Sequence, residues 1–390
     1  MIRLARRHLF EDLPRLFASL GGIVFAVTLV MVQTGIYTGF VRSTSLLIEN
    51  ARADIWVAAR EMSFLEVTLP IPYSWLASVR SVEGVALAEP LVIRTIVWKN
   101  PKGELTYGRV IGFDTEGTLL RVGGASGKDM RVVGRGASFA ADAGQLETLG
   151  VSGVGATGTV REHETHLVAL TQETQPIISP TFFYTSIRNA ATWSPATMKE
   201  LVHDPFAPAS QADSPLNYIL VELKTGADLG ATQAALERAL PKARAFSRQQ
   251  MLDITRAYWI KRTNLGFILS LGALLGLLVG AVVVSQILYT SVNEHLREYG
   301  TLKALGISDA SIYASLIWQA VAMAAFGYLP ALVLSNVVAI YARSSRGVTI
   351  EITPGGAALV FALTILMCVG AAVFAVQRAT RVDPAIVFKG

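Results

Sequence analysis

Four apolar runs limit what this chain can fold into: Leu20 to Phe40, Leu265 to Thr290, Ile312 to Tyr341, and residues 355–378. Each is long enough to cross a hydrocarbon core of about 30 Å as a helix, which takes about 20 residues. Composition points the same way. Only 16% of the residues are charged and 52% are hydrophobic, whereas soluble domains carry roughly 25% charged residues. The net charge of +5 could suggest a nucleic-acid partner. However, the basic residues are scattered and carry no nucleic-acid-binding signature, so cationic flanks of membrane helices explain the balance better and no nucleic-acid partner is expected. The single cysteine, Cys368, lies inside an apolar run, where it reads as a small packing residue; no intrachain disulfide can form.

Taken in order, residues 1–13 place Ile2, Ala5, Leu9 and Leu13 at helical spacing, with Arg3, Arg6 and Arg7 off that stripe. This predicts an interfacial amphipathic helix ending near Pro14. A basic start before an apolar run also suits a secretory signal. The run is too long for a signal core and lacks a small-residue cleavage site, so residues 14–41 are read as a retained first transmembrane helix.

Residues 42–262 change character, with mixed polar and apolar sequence rich in Gly and Pro, and predict one sizeable domain of one or two subdomains. Strands are expected over 54–58, 91–99, 105–113 and 217–223, with Asn100-Pro101-Lys102-Gly103-Glu104 as a hairpin signal. Helices are expected over 73–82, with Leu76 and Val79 inward, and over 228–240, with Leu229, Ala235, Leu236 and Ala239 on one face. The two strand–helix pairs look like related halves. Transmembrane helices over 264–291, 311–341 and 355–378 follow, with a short polar segment at 292–310 and a tail at 379–390. The fold class predicted is an α-helical membrane protein with four transmembrane helices and a large mixed α+β extracytoplasmic domain between helices 1 and 2.

Gly272, Gly276 and Gly280 recur at intervals of four on the second membrane helix. Small residues at that spacing let helices approach closely, so this stripe predicts a packing face, which could also be a homodimer face. Gln33, Gln286, Gln319 and Asn336 are expected to hydrogen-bond between helices, and Pro330 to kink the third. Arg3, Arg6, Arg7 and Arg15 precede the first helix, and Arg378, Arg381 and Lys389 follow the last. Positive-inside then puts both termini, and the 293–308 segment, in the cytoplasm and the large domain outside.

The order Glu294-x-x-Arg297-Glu298-Tyr299-Gly300-x-Leu302-Lys303-Ala304-Leu305-Gly306-Ile307-Ser308 resembles the cytoplasmic signature of the MacB/FtsX-type permeases, membrane subunits of one class of ABC transporter. Lys303 stands where the family usually has Arg, and Tyr299 where it usually has Ile. Phe139-Ala140-Ala141-Asp142 and Leu149-Gly150-Val151 are similar to a region of the family's external domain, with shifted spacing. Asp383-Pro384-Ala385 is similar to its tail, with Ile386 replacing the usual acidic residue.

That resemblance implies an inner-membrane, multi-pass permease whose segment at Glu294, Arg297, Glu298, Gly300, Lys303 and Gly306 couples to a separate cytoplasmic ATPase. ATP and Mg would be held by that partner, with no cofactor in this chain. The branch most similar is DevC-like, lacking a fused ATPase. It implies a homodimer, mechanotransmission across the membrane, a periplasmic adaptor with an outer-membrane channel, and efflux of a lipid, glycolipid or other amphiphile from the periplasm. Lipoprotein extraction is one alternative. A regulatory subunit controlling a cell-wall hydrolase or sensing a peptide is another.

Chemistry of other kinds finds no support in the residues. Gly123-Gly124-Ala125-Ser126-Gly127-Lys128-Asp129 lacks the glycine spacing and the terminal Ser/Thr of a phosphate-binding loop. His163-Glu164-Thr165-His166 lacks metalloprotease spacing and reads as a solvent-facing strand or loop. No catalytic site and no metal site are predicted.

Overall fold

Residues 13–122, 132–194, 215–294, 298, 301, 308–346 and 349–380 are described, from a computed structural model of the chain. The expected helix over 1–13, the stretch 123–129, and most of the tail lie outside these residues. The chain forms two compact units, residues 40–262 and residues 1–39 with 263–390.

In chain order the elements are α1 (Leu13–Ser43), α2 (Leu46–Glu49), β1 (Ile55–Ala59), α3 (Trp75–Arg80), β2 (Val85–Lys99), β3 (Leu105–Phe113), β4 (Ser138–Asp142) and α4 (Leu146–Leu149). They continue with β5 (Thr157–Val160), β6 (His163–Thr171), β7 (Thr181–Ser186), α5 (Ile187–Trp193), β8 (Tyr218–Leu223), α6 (Leu229–Ala239) and β9 (Ala243–Ser247). Four long helices close the list: α7 (Arg248–Arg262), α8 (Leu265–Glu294), α9 (Asp309–Arg346) and α10 (Pro354–Thr380).

Within residues 40–262, the order β9–β1–β8–β2 is antiparallel throughout. It interleaves two β-α-β units, β1–α3–β2 and β8–α6–β9, in the split arrangement of ferredoxin-like folds. The two halves expected from the sequence are therefore intertwined rather than side by side. β1 is buried on both faces. Ile55 and Val57 pack with Leu76, Val79 and Leu236 from α3 and α6, and Trp56 packs with Met251 of α7. That is why β1 reads as a continuous apolar run instead of an alternation. α6 departs from expectation by a rotation. It buries Thr232 and Leu236, while Leu229 and Ala239 face outward. Asp228, accepting from the Ala231 amide at 2.6 Å, caps its start.

The second half of the domain is inserted between β2 and β8. β2 is longer than its apolar signal suggests because it serves both halves. Val85–Leu91 pairs with β8, and Leu91–Lys99 with β3. From there the order β3–β7–β4–β6–β5 returns to β2, closing a ring of strands. The hairpin forms as expected, with Asn100 Oδ1 accepting from the Lys102 and Glu104 amides and Gly103 at φ +88°. Inside the ring Trp98, Phe139 and Phe183 fill the space. Trp98 lies edge-on to Phe139 at 5.3 Å, Phe139 is 4.7 Å from Phe183, and the indole N–H donates to the Leu149 carbonyl at 3.0 Å. Gly158 lies beneath the indole and Gly108 beneath Phe183, where any side chain would collide.

Where β8 stops, side chains take over its hydrogen bonding. Asn217 Oδ1 accepts from the Ile93 amide at 2.9 Å, and the Arg94 guanidinium donates to the carbonyls of Ser194 (2.5 Å) and Pro215. Glu89, 5% exposed, accepts from the Thr118 and Leu119 amides at 2.7 and 3.1 Å. Burial nonetheless raises its pKa above the usual carboxylate value, with the two amides opposing. A raised carboxylate pKa favours the folded state as pH falls through the folded value, and that contribution is complete below the unfolded value of about 4.3. Wild type is therefore expected to gain stability relative to Glu89→Gln between neutral and mildly acidic pH. Paired thermal melts of the two proteins would check it, and parallel curves would count against it.

In the other unit, four helices are long and apolar enough to cross a membrane, over Leu20–Ser43, Leu265–Glu294, Tyr313–Arg343 and Pro354–Val373. A buried cluster of Ile23, Val27, Val30, Val284, Met323 and Cys368 holds them. α9 runs through Pro330 as one helix. Asn336 bonds within its own helix, to the Leu332 carbonyl at 2.8 Å, rather than between helices.

Candidate functional site

The segment singled out in the sequence joins α8 to α9. Glu294 is the last residue of α8, and its side chain is exposed. Glu298 and Thr301 are helical and exposed. Ser308 precedes α9 and accepts from the Ser311 amide at 3.0 Å, a turn that starts that helix. Arg297, Gly300, Lys303 and Gly306 lie outside the described residues. The apolar flanks fold into α8 and α9, so the polar segment is anchored at both ends by long helices. Two of its carboxylates, Glu294 and Glu298, are exposed and lie four residues apart in the sequence.

The glycine stripe on α8 meets α1 of the same chain. A Cβ at Gly272 would strike Gln33; one at Gly276 would lie 3.1 Å from Leu29 and 3.5 Å from Val30. At Gly280 it would lie 2.8 Å from Ala26 and 2.6 Å from Met367 of α10. The stripe thus packs inside one chain, because a glycine face lets α1 lie directly on the α8 backbone. Within the chain, the neighbours over this face are Gln33, Leu29, Val30 and Ala26 of α1 and Met367 of α10.

A second glycine pair escaped the sequence reading. Gly35 and Gly39 form a Gly-x-x-x-Gly step on α1, and the loop between α9 and α10 lies over it. The Glu351 amide donates to the Gly35 carbonyl at 3.0 Å, and a Cβ at Gly39 would meet the Thr349 carbonyl oxygen. The same small-residue spacing that marked α8 was present on α1 and would have found it.

Among the described residues no group of three or more His, Cys, Asp or Glu side chains could hold a metal ion. His163 and His166 lie on β6, His163 half-buried on the face of the buried Thr165 and His166 exposed on the other. A polar cleft of about 490 Å³ lies between the β2–β3 turn and β5, lined by Lys99, Lys102, Glu162 and Glu164.

Residues 270–384 match the family described as FtsX-like permease C-terminal, a span that contains α9, most of α8 and α10, and the whole polar segment. An uncharacterised ABC transporter permease of Mycobacterium tuberculosis is 28% identical over 113 residues, 29% of this chain and 31% of that protein. A second from the same organism is 32% identical over 123 residues, 31% of this chain and 34% of the other. The macrolide export ATP-binding/permease protein MacB of Nitrobacter winogradskyi is 26% identical over 167 residues, 42% of this chain and 24% of that one. The chain thus spans about a third or less of the length of the curated relatives it matches. The periplasmic region of MacB from Actinobacillus actinomycetemcomitans superposes with a TM-score of 0.34 at 8% identity, over 55% of this chain and 96% of that one, a likeness too weak to bear on function. The signature at Glu294–Ser308 lies inside the matched span, so residues 270–384 are similar to the C-terminal region of FtsX-like permeases.

Proposed function

We propose that the chain is the membrane subunit of an ABC transporter, moved by a separate ATPase on the cytoplasmic side. The observation that carries this reading is the family match over residues 270–384, which includes the segment between α8 and α9. Glu294, Arg297, Glu298 and Lys303 give that segment charges, Leu296, Leu302 and Leu305 give it apolar side chains, and Gly300 and Gly306 punctuate it. An amphipathic element of this kind seats its apolar side in a partner's groove while its charges fix the orientation. Closure of two ATP-bound ATPase subunits, one for each of two permease copies, then pushes on the segment. α8 carries the push, and two residues separate its start from the end of α7 in the sheet domain. The output is a movement of that domain on the other side of the bilayer.

The cargo we favour is an amphiphile such as a lipid or glycolipid, passed to a periplasmic adaptor and an outer-membrane channel. The name of the MacB relative, a macrolide export protein, is consistent with an exported amphiphile. Charge reversal tests the docking. Glu298→Lys is expected to weaken ATPase binding by about 2 kcal/mol or more, roughly 30-fold. Co-purification from native membranes would then lose the ATPase while insertion of the variant stays intact. Equal recovery from wild type and variant would place the docking surface elsewhere.

A further inference from the structure

Several exposed apolar side chains of residues 40–262 sit along one connected path, and the path runs between the two points where the chain leaves this unit. It begins at Ser43, the last residue of the apolar span Leu20–Ser43. The Ser43 hydroxyl accepts from the Ile177 amide at 3.3 Å, and Ile177 is 46% exposed. Two residues on, Ser179 donates to the Glu66 carboxylate, whose other oxygen receives Arg109 at 2.7 Å. Glu66 is followed by Val67 and Leu69, 52% and 53% exposed. On the other side of Glu66, the Leu65 amide donates to Thr255 on α7 at 3.4 Å, and Phe64 stacks on Tyr258 with ring centroids 3.8 Å apart and meets Trp259 edge-on at 5.5 Å. The path ends at Ile260, 42% exposed, beside the exposed Lys261 and Arg262. Leu265, the start of the next apolar span, is three residues beyond Arg262, a reach of at most about 11 Å along an extended chain.

Single exposed apolar residues are ordinary. Four of them on a tethered path that begins and ends at membrane spans are not, and the side chains between them have the chemistry of a bilayer boundary: a Trp and a Tyr, with Lys and Arg at the edge. We propose that Ile177, Val67, Leu69 and Ile260 form a membrane-contact rim, seated in the headgroup and upper acyl region of the lipid bilayer. The proposal rests on the reading that α1 and α8 cross a membrane. The hydrogen bonds that build the rim give it a use. The loop bearing Ile177 is held to the end of α1 and the loop bearing Val67 to α7, so the bilayer surface supports both exits of the domain.

The test uses the full chain in phosphatidylcholine vesicles, with Cys368→Ala as background and single cysteines carrying an environment-sensitive fluorophore. Labels at Leu69, Ile177 and Ile260 are expected to be quenched by lipids bearing a nitroxide high on the acyl chain. A label at Leu105, an equally apolar residue 69% exposed on the β2–β3 hairpin, is expected to be insensitive. Labels at the rim that behave like the one at Leu105 would overturn the proposal. So would rim labels reporting an apolar surrounding without nitroxide quenching, since a protein or a second copy would then cover them. A label at Leu274, inside the apolar span, separates the two readings. Quenching there without quenching at the rim overturns the rim alone, and no quenching at Leu274 overturns the membrane reading and the rim together.

Discussion

Gly39→Val is expected to unfold the packing between α1 and the α9–α10 loop, with a loss of about 3 kcal/mol or more, at the upper end of overpacking costs. The reason is the nature of the obstacle. A side chain at residue 39 meets the Thr349 carbonyl oxygen first, then the Thr349 carbonyl carbon at 3.1 Å and the Glu351 nitrogen at 3.5 Å. All three are backbone atoms, which cannot turn aside as the end of a long side chain can. The loop is held in place by the bond from the Glu351 amide to Gly35, and Ile350 lies over Gly35 at 2.7 Å from where a Cβ would stand. Hydrocarbon supplies no hydrophobic gain between helices, so close backbone approach at such steps is a main source of their association. Gly21 on the same helix has nothing within 4 Å of its Cβ position. Gly21→Val should therefore leave the melting temperature of the detergent-solubilised protein near the wild-type value while Gly39→Val lowers it sharply. Equal melting of the two variants would remove this role for Gly39.

Trp98→Ala is the second large effect, about 4 kcal/mol within the sheet domain, as expected for truncating a large buried aromatic. Trp98 is 0% exposed and makes three separate contributions. It contacts Phe139 and Phe183 at the ring's centre, it packs on Gly158, and its N–H is the partner of the Leu149 carbonyl. Its removal leaves a void among aromatic rings and a buried carbonyl without that donor. Amide hydrogen exchange on the intact protein localises the loss. Protection in β5 and β6 should fall by about three powers of ten if opening tracks that free energy, while the four long apolar helices keep theirs. Trp98→Phe retains most of the volume and should cost far less. A uniform loss over both units, or none in β5 and β6, would show that the ring does not depend on this plug.

How much of this was legible in the sequence follows from which signals are local. The long helices are written in runs of apolar residues, and β1, β2, β3 and β8 in short apolar stretches between turn residues. The strands β4, β5 and β7 went unread, and of β6 only its start was read, as a strand or loop. β4, β5 and β7 are brief, β5 and β7 carry Gly, Ser or Thr at half or more of their positions, and two of the pairings are remote: β3 pairs in parallel with β7, and β4 with β6. Ring closure is a property of those distant pairings and has no local period. α7 was missed for the opposite reason, since Arg248, Asp253, Arg256 and Lys261 make it too polar to show a strong stripe, although Met251 and Thr255 are buried.

At the candidate site the limits are similar. The spacing of Gly272, Gly276 and Gly280 announced a close approach, but glycine spacing carries no label for the partner, and the partner is α1. The order of residues from Glu294 to Ser308 carried the family on its own. On the ATPase-coupled reading, charged and glycine residues in that order answer to a partner's surface, which is a signal that periodicity does not carry.

The most direct test of the ATPase-coupled reading is a photo-crosslinking amino acid placed at Glu298 and, separately, at Glu147 on α4 of the sheet domain, in cells expressing the full chain. Irradiation should join position 298 to an ATP-binding subunit, identified by mass spectrometry, and should yield no such adduct from position 147. An ATPase adduct at 147, or none at 298 from a correctly inserted protein, would contradict a cytoplasmic coupling role for the segment between α8 and α9.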